Sequence, residues 1–127
     1  MIHIGDVRTR IYLAIGATDL RKGFEGLYGL VQSQMELEGS SGHLFVFCNQ
    51  SKTRIKVLYF DGSGLWVCAK RLEKGRFSWP KQQSENRKVE LSHGEFYALL
   101  EGIDLSKSKM KGWWRKKIRL LLACVVF

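Results

Sequence analysis

The residues of this sequence with the clearest chemical potential are clustered lysines and arginines. Six of them lie between positions 54 and 76, and a tryptophan follows at 79; the set is Arg54, Lys56, Lys70, Arg71, Lys74, Arg76 and Trp79. Basic side chains contact phosphates and aromatic rings stack on bases, so this combination favours a nucleic-acid-binding surface. The alternative is a solvated rim, because long cationic side chains are usually exposed.

The segment after residue 105 has the same character. It contains no acidic residue, and two tryptophans lie among its basic residues. We expect the nucleic-acid-binding surface to continue through Lys107, Lys109, Lys111, Trp113, Trp114 and Arg115. The alternative is a disordered, solubilising tail. The closing apolar run, 118–127, is too short to span a membrane, which takes about 20 residues; a last strand, a docked helix and a non-native extension remain open for it.

The net charge supports an anionic partner. The chain has 127 residues, a formal charge of +9 and an isoelectric point of about 9.7. Residues 1–64 hold 7 basic and 6 acidic residues, whereas residues 65–127 hold 14 and 6. Nucleic acid is the commonest partner for such a surface.

The sequence gives little evidence for enzyme activity. A metal-dependent nuclease active site needs several carboxylates that converge on metal ions. The acidic candidates are Asp19, Glu25, Asp61 and Glu73. Asp61 lies in a turn and Asp19 near a helix start, so both have structural explanations. The histidines, at 3, 43 and 93, are far apart, and no phosphate-binding Gly-rich motif occurs. We therefore predict no enzyme activity, no metal site and no cofactor.

The cysteine pattern favours a reducing compartment. Cys48, Cys68 and Cys124 are odd in number and widely spaced, which fits neither a disulfide framework nor a zinc site. The first ten residues lack the apolar core of a signal peptide. We expect a cytoplasmic protein with no membrane association.

Three apolar runs separated by turn residues predict an antiparallel β-meander at about 43–48, 54–61 and 65–72. The sequence Asp61-Gly62-Ser63-Gly64 is a hairpin signal, because glycine supplies the positive φ that tight turns require. If the hairpin closes there, Arg54 and Arg71 are neighbours across two strands. Side-chain alternation also places Lys56 on the same face as Arg54.

The flanking elements complete an α+β fold. Residues 10–16 predict an N-terminal strand, and apolar residues at helical spacing predict a helix at about 19–36, capped by Thr18, that packs on the sheet. We expect its glycines, Gly26 above all, to lie against another backbone. Ser92 and Glu95 form a capping-box pattern before a short helix at about 93–103. The domain is predicted to span residues 1–105, followed by a basic and aromatic tail at 106–127.

The sequence resembles a known family in three motifs that occur in the same order. SGHLFVFCNQSKTRIKVLYFDGSGLWVCAKRLEKGRFSW (41–79) is similar to the centre of the TnpB-type accessory proteins of the insertion sequence 66 class, which are distinct from the RNA-guided nucleases of that name. TDLRKGFEGL (18–27) and LLEGIDL (99–105) resemble their entry motif and late helix. The likeness covers about residues 6–115; the ending at 116–127 departs from the family's usual polar, basic one.

The resemblance implies a bacterial mobile-element product that supports transposition beside a separately encoded transposase and carries no established catalytic residues. Two functions follow from it. The first is a DNA-binding accessory protein that acts at or near transposon ends. The second is an adaptor that docks on the transposase without contacting DNA itself. The sequence does not decide DNA sequence preference or oligomeric state.

Overall fold

The computed structural model describes residues 8–80 and 87–103. The elements in these ranges are β1 (Ile11–Ala14), α1 (Phe24–Ser33), β2 (Leu44–Cys48), β3 (Arg54–Phe60), β4 (Leu65–Arg71), β5 (Lys88–Leu91) and α2 (His93–Leu100). The strands form one sheet in the order β4-β3-β2-β1-β5. The predicted α+β fold, with its meander and N-terminal strand, is confirmed.

The meander pairs in the predicted register, but the sheet is mixed rather than wholly antiparallel. β2 pairs antiparallel with β3, and β3 with β4. β1 instead runs parallel to β2, with Ile11 opposite Leu44. The segment between these two strands contains α1, and parallel neighbours need such a crossover connection. β5 then pairs antiparallel with β1 and forms the second edge of the sheet.

Each face of the sheet is covered by one helix. All five residues of β2 are buried, as expected for a central strand with both faces covered. Phe45 and Phe47 pack on the α1 side with Leu27 and Val31. Alternate residues of β2, such as Val46, pack on the α2 side. This alternation fixes which face each side chain of the neighbouring strands occupies.

The first helix is shorter than the predicted 19–36. Gly23 is its N-cap, in an extended conformation, so the helix begins at Phe24. Thr18 does not cap it; Thr18 is buried, and its backbone N–H donates to the Cys48 carbonyl at 2.7 Å. At the other end Glu36 has φ of +56°, and a left-handed residue ends a helix.

The prediction that the α1 glycines approach another backbone is wrong. A Cβ on Gly26 would meet the side chain of Lys22 at 2.9 Å rather than the sheet, and one on Gly29 would have nothing within 4 Å. The close approach is at Gly39, where a Cβ would lie 2.5 Å from the ring of Tyr28. An aromatic ring of α1 therefore packs on the loop that leads into β2.

The capping box of the second helix is confirmed. The Glu95 backbone N–H donates to Ser92 Oγ at 3.1 Å, and the Ser92 N–H donates to Glu95 Oε1 at 3.0 Å. The helix ends at Leu100, earlier than the predicted 103, and Gly102 follows with φ of +75°. The predicted domain boundary at 105 lies outside the described residues.

Candidate nucleic-acid interface

The structure places Arg54 directly opposite Arg71, as predicted from the hairpin. The next pair along the ladder is hydrogen-bonded, since the Leu72 N–H donates to the Thr53 carbonyl at 2.9 Å. Arg54 and Arg71 are therefore a non-hydrogen-bonded pair, in which Cα atoms are about 4.5 Å apart and side chains are closest. Two guanidinium groups thus leave the same face of the sheet side by side.

The other basic residues of the meander divide between the two faces. Lys56 pairs with Ala69, two positions from Arg54, and shares the α1 face with the two arginines. Lys70 is opposite Ile55, whose side chain is in the core on the α2 side. The six predicted cations therefore do not form one continuous face.

An open cleft of about 1130 Å³ lies at this end of the sheet. Its walls are the β1–α1 loop, the β2–β3 turn and the ends of β3 and β4. The charged residues that line it are Asp19, Arg21, Arg54, Lys56, Lys70 and Arg71. Five cations and one carboxylate give the lining a formal charge of +4. Such a concave, cationic surface concentrates anions.

The walls of the cleft are held by hydrogen bonds of the loop residues. The side-chain oxygen of Asn49 accepts from the backbone N–H groups of Thr53 and Arg54, at 3.0 and 3.1 Å. Its amide nitrogen donates to Ser51 Oγ at 3.1 Å. On the opposite wall, the bond from Thr18 to the end of β2 anchors the β1–α1 loop. The backbone that carries Arg54 is thus fixed independently of any ligand.

Asp19 neutralises part of the charge of the β1–α1 loop. Arg21 Nη2 donates to Asp19 Oδ2 at 2.8 Å, Arg21 Nε donates to Oδ1 at 3.0 Å, and the Arg21 backbone N–H also donates to Oδ1. These bonds hold the pKa of the Asp19 carboxyl well below its usual range. The carboxylate is therefore ionised at neutral pH, and Arg21 is partly satisfied within the protein.

The remaining cations differ in how far they are already engaged. Lys70 Nζ donates to the Leu100 carbonyl at 2.7 Å, at the negative end of the α2 dipole. Arg71 forms an exposed ion pair with Glu73 at 3.2 Å. Lys56 makes a long contact, 3.4 Å, with the Lys22 carbonyl. In residues 8–80 and 87–103, no carboxylate lies within ion-pair distance of Arg54.

Lys74 and Arg76 lie on the loop after β4, beside the cleft rather than in its lining. The Phe77 backbone N–H donates to the Lys52 carbonyl of the β2–β3 turn at 2.7 Å. The side chains of Lys74 and Arg76 are both exposed. The predicted shared position of the β4 end and the β3 start is therefore confirmed.

The prediction that Trp79 stacks on bases needs correction. Trp79 is only 7% exposed, and its Nε1 donates to the Ala14 carbonyl at 3.0 Å. A ring buried in the core offers no face to a nucleotide, so Trp79 is a structural residue. Six further predicted site residues lie outside the described residues: Lys107, Lys109, Lys111, Trp113, Trp114 and Arg115.

The sequence reasoning missed Arg21 and the role of Asn49. The helix predicted at about 19–36 includes Asp19 and Arg21, and within a helix their spacing does not indicate an ion pair. In the structure they lie in a loop, and that loop forms a wall of the cleft. The signal that was available is Gly23, whose low helix propensity argues for a later helix start.

The candidate carboxylates have separate structural partners. Asp61 accepts hydrogen bonds from Ser63, Gly64 and Trp66 within the hairpin. Glu73 is paired with Arg71. Across the described ranges, no group of three histidine, cysteine or acidic residues is placed to hold a metal ion. None of the helices in those ranges is long and apolar enough to cross a membrane.

Comparison with known proteins decides the family. The sequence profile described as IS66 Orf2 like protein matches residues 9–110. The chain belongs to this family. IS66 Orf2-like proteins are transposon-encoded accessory proteins, so the sequence-level resemblance is confirmed. No solved structure was found to match the chain.

Two relatives of this IS66 Orf2-like protein come from Sinorhizobium fredii (strain NBRC 101917 / NGR234). The uncharacterized protein y4hO is 40% identical over 95 residues, which cover 75% of this chain and 81% of that protein. The uncharacterized protein y4jC is 34% identical over 102 residues, 80% of this chain and 86% of that protein. The family profile, which matches residues 9–110, spans the sheet and both helices.

Proposed function

We propose that this IS66 Orf2-like protein is a non-catalytic accessory factor that binds DNA at or near transposon ends through the phosphate backbone. The observation that carries the proposal is the pairing of Arg54 with Arg71 inside the cationic cleft. Like charges directly opposite each other on a sheet are destabilising. A bound phosphate relieves that repulsion and accepts hydrogen bonds from both guanidinium groups.

The cationic side chains around the cleft suit contact with the phosphate backbone of DNA rather than with base edges. Arginine and lysine positioned on a sheet contact phosphates without sequence information. Lys56 lies two residues along β3 from Arg54, about 7 Å away on the same face of the sheet, so the two cations extend the surface along the strand. Lys74 and Arg76 extend the cationic surface beyond the cleft. The proposed binding is therefore weakly sequence-specific and strongly dependent on salt.

The test is the salt dependence of duplex binding by the full chain. Log affinity is measured against log salt concentration for the wild type and for Arg54→Ala/Arg71→Ala. Each phosphate neutralised contributes about 0.9 to the slope, so we expect the double variant to bind more weakly and to flatten the slope by about 1 to 2.

The matched control is Arg8→Ala/Arg10→Ala, which removes the same charge from the start of β1, at the opposite end of the sheet from the cleft. We expect it to retain most of the slope. Equal loss in both double variants would show that net charge alone drives binding. An unchanged slope in a folded Arg54→Ala/Arg71→Ala protein would contradict the proposal and favour the adaptor that docks on the transposase.

A further inference from the structure

The outer edge of β4 is a long strand edge that no other described strand covers. β4 has seven residues and ends the sheet on one side, whereas β5, at the other edge, has four. Natural proteins keep edge strands short or interrupted, because an unpaired edge recruits another strand. Trp66 is 45% exposed, and Cys68 is exposed as well. This edge therefore combines backbone groups that no described strand pairs with and exposed apolar side chains.

The backbone groups that point outward follow from the ladder. The ladder continues one pair beyond each end of β3 and β4, since the Asp61 N–H donates to the Gly64 carbonyl and the Leu72 N–H donates to the Thr53 carbonyl. Backbone hydrogen bonding alternates between the two sides of an antiparallel strand. The N–H and C=O groups of the even-numbered residues of β4 therefore point toward β3. The N–H and C=O groups directed away from the sheet belong to Leu65, Val67, Ala69 and Arg71.

We propose that a second copy of this chain pairs with β4 edge to edge, giving a twofold-symmetric dimer with one continuous ten-stranded sheet. Pairing that aligns all seven residues puts the twofold axis at Cys68. Residues 65, 67, 69 and 71 then exchange hydrogen bonds with 71, 69, 67 and 65 of the second copy, about eight bonds in all. Every outward-facing backbone N–H and C=O group of β4 is then hydrogen-bonded to the second copy.

Charge agrees with the register that aligns all seven residues. In the full-length register Lys70 faces Trp66 of the second copy, and Arg71 faces Leu65. The aliphatic stem of a lysine packs on an aromatic ring, while the Lys70 ammonium stays on the Leu100 carbonyl of its own copy. An axis at residue 70 would instead place Lys70 opposite Lys70, which is unfavourable. The cationic half of one strand therefore complements the apolar half of the other.

The dimer also has a consequence for the two clefts. A twofold axis perpendicular to the sheet leaves the α1 faces of both copies on the same side. Arg71 lies three residues from the axis in each copy, so the two Arg71 side chains are about 20 Å apart along the strands. Both Arg54–Arg71 pairs then face one side of the continuous sheet. The dimer itself does not depend on nucleic acid, so it stands or falls separately from the proposed function.

Oxidative crosslinking tests the register. Residues at the axis form a non-hydrogen-bonded pair with Cα atoms about 4.5 Å apart, inside the range that a disulfide tolerates. The full chain carrying Cys124→Ser is treated with diamide, which accepts two electrons and two protons from two thiols as the S–S bond forms. Partial desolvation by neighbouring side chains raises the pKa of the exposed Cys68 thiol, so the reaction is run at a mildly alkaline pH. We expect a covalent dimer that Cys68→Ser abolishes.

Sedimentation of Val67→Pro tests the pairing itself. The Val67 N–H points outward, so proline removes a bond to the second copy but none to β3. We expect the wild type and the control Val67→Thr to be dimers and Val67→Pro to be a monomer with an unchanged circular dichroism spectrum.

Three results would overturn the dimer. The first is a wild type that sediments as a monomer at about 100 μM, a concentration at which an interface of standard size is populated. The second is a monomer whose Val67 amide is protected from hydrogen exchange, which would show that another segment of the chain covers the edge. The third is a wild-type dimer without a Cys68 crosslink, which would place the interface elsewhere even if Val67→Pro fails to fold.

Discussion

Arg54 and Arg71 face each other across β3 and β4, on the face of the sheet that also carries Lys56. Arg71 has Glu73 as an ion-pair partner, whereas Arg54 has no carboxylate partner in the part of the chain that the structure describes. Asn49 holds the Arg54 backbone in place through two hydrogen bonds. The protein thus places two like charges opposite each other at the cationic cleft, and the proposed phosphate contact would relieve their repulsion.

Arg54→Glu should stabilise the free protein while it weakens DNA binding. The substitution replaces repulsion across the strands with an ion pair to Arg71, a change of about 0.2–1 kcal/mol for a cross-strand pair. Urea denaturation at low salt measures the gain, which should shrink as salt screens the exposed charges. Arg54→Lys keeps the repulsion and is the control, with stability near that of the wild type. Destabilisation by Arg54→Glu would show that the arginines do not repel each other appreciably.

Trp79→Phe should lower stability and leave single-strand binding unchanged. The substitution leaves the Ala14 carbonyl without its Nε1 donor in a buried site, and an unsatisfied buried group costs about 1–3 kcal/mol. Thermal unfolding and a fluorescence titration with single-stranded DNA measure the two effects. Lost single-strand binding at full stability would restore the original stacking role for this ring.

Asp61→Asn should reduce the sensitivity of the fold to acid. The Trp66 indole N–H, at 2.7 Å from Oδ2, together with the Ser63 and Gly64 backbone N–H groups, holds the pKa of Asp61 well below its usual range. A carboxyl whose pKa is lowered by folding stabilises the protein above its unfolded pKa, about 3.9, and loses that contribution as pH falls further.

The measurement for Asp61 is the unfolding midpoint between about pH 6 and pH 2, a range that spans the unfolded pKa of aspartate. Asp19 also has a lowered pKa and contributes to acid sensitivity in both proteins, so the difference between wild type and Asp61→Asn isolates Asp61. We expect the two curves to converge as the pH falls. Curves that remain parallel would contradict the linkage of Asp61 to folding.

Purified protein with magnesium or manganese should neither cleave nor join DNA. Asp61 precedes β4 and Glu73 follows it, so the length of a seven-residue strand separates them by roughly 20 Å. Two-metal chemistry brings carboxylates around ions about 4 Å apart. Metal-dependent nicking that Asp61→Ala or Glu73→Ala abolishes would overturn the non-catalytic function.

The hairpin was predictable because its signals are local. Turn glycines and alternating apolar residues fix the β3–β4 register, and the Arg54–Arg71 contact follows from it. The parallel pairing of β1 and β2 was not predictable in this way, since it depends on how the crossover through α1 packs. Trp79 was misassigned because an aromatic residue after a basic loop looks the same in sequence whether its ring is buried or exposed.

The cleft itself could not be derived from the sequence. Arg21 and Arg54 are 33 positions apart, and only the parallel placement of β1 beside β2 brings the β1–α1 loop to the β2–β3 turn. Lys70 shows the opposite case. Lys70 and Arg71 are adjacent cations at the end of β4. Strand alternation nevertheless directs Lys70 to the α2 face, where its ammonium binds the carbonyl end of α2.

The most direct test of the proposed DNA contact is the NMR signal of each arginine side chain during titration with a short duplex. Each Nε–Hε group reports on its own guanidinium, so cleft and distant arginines are measured in one sample. We expect the Arg54 and Arg71 signals to shift first, while the Arg10 signal at the far end of β1 stays in place. Shifts in Arg10 that equal those of Arg54, or DNA binding with unshifted Arg54 and Arg71 signals, would contradict binding at the cleft.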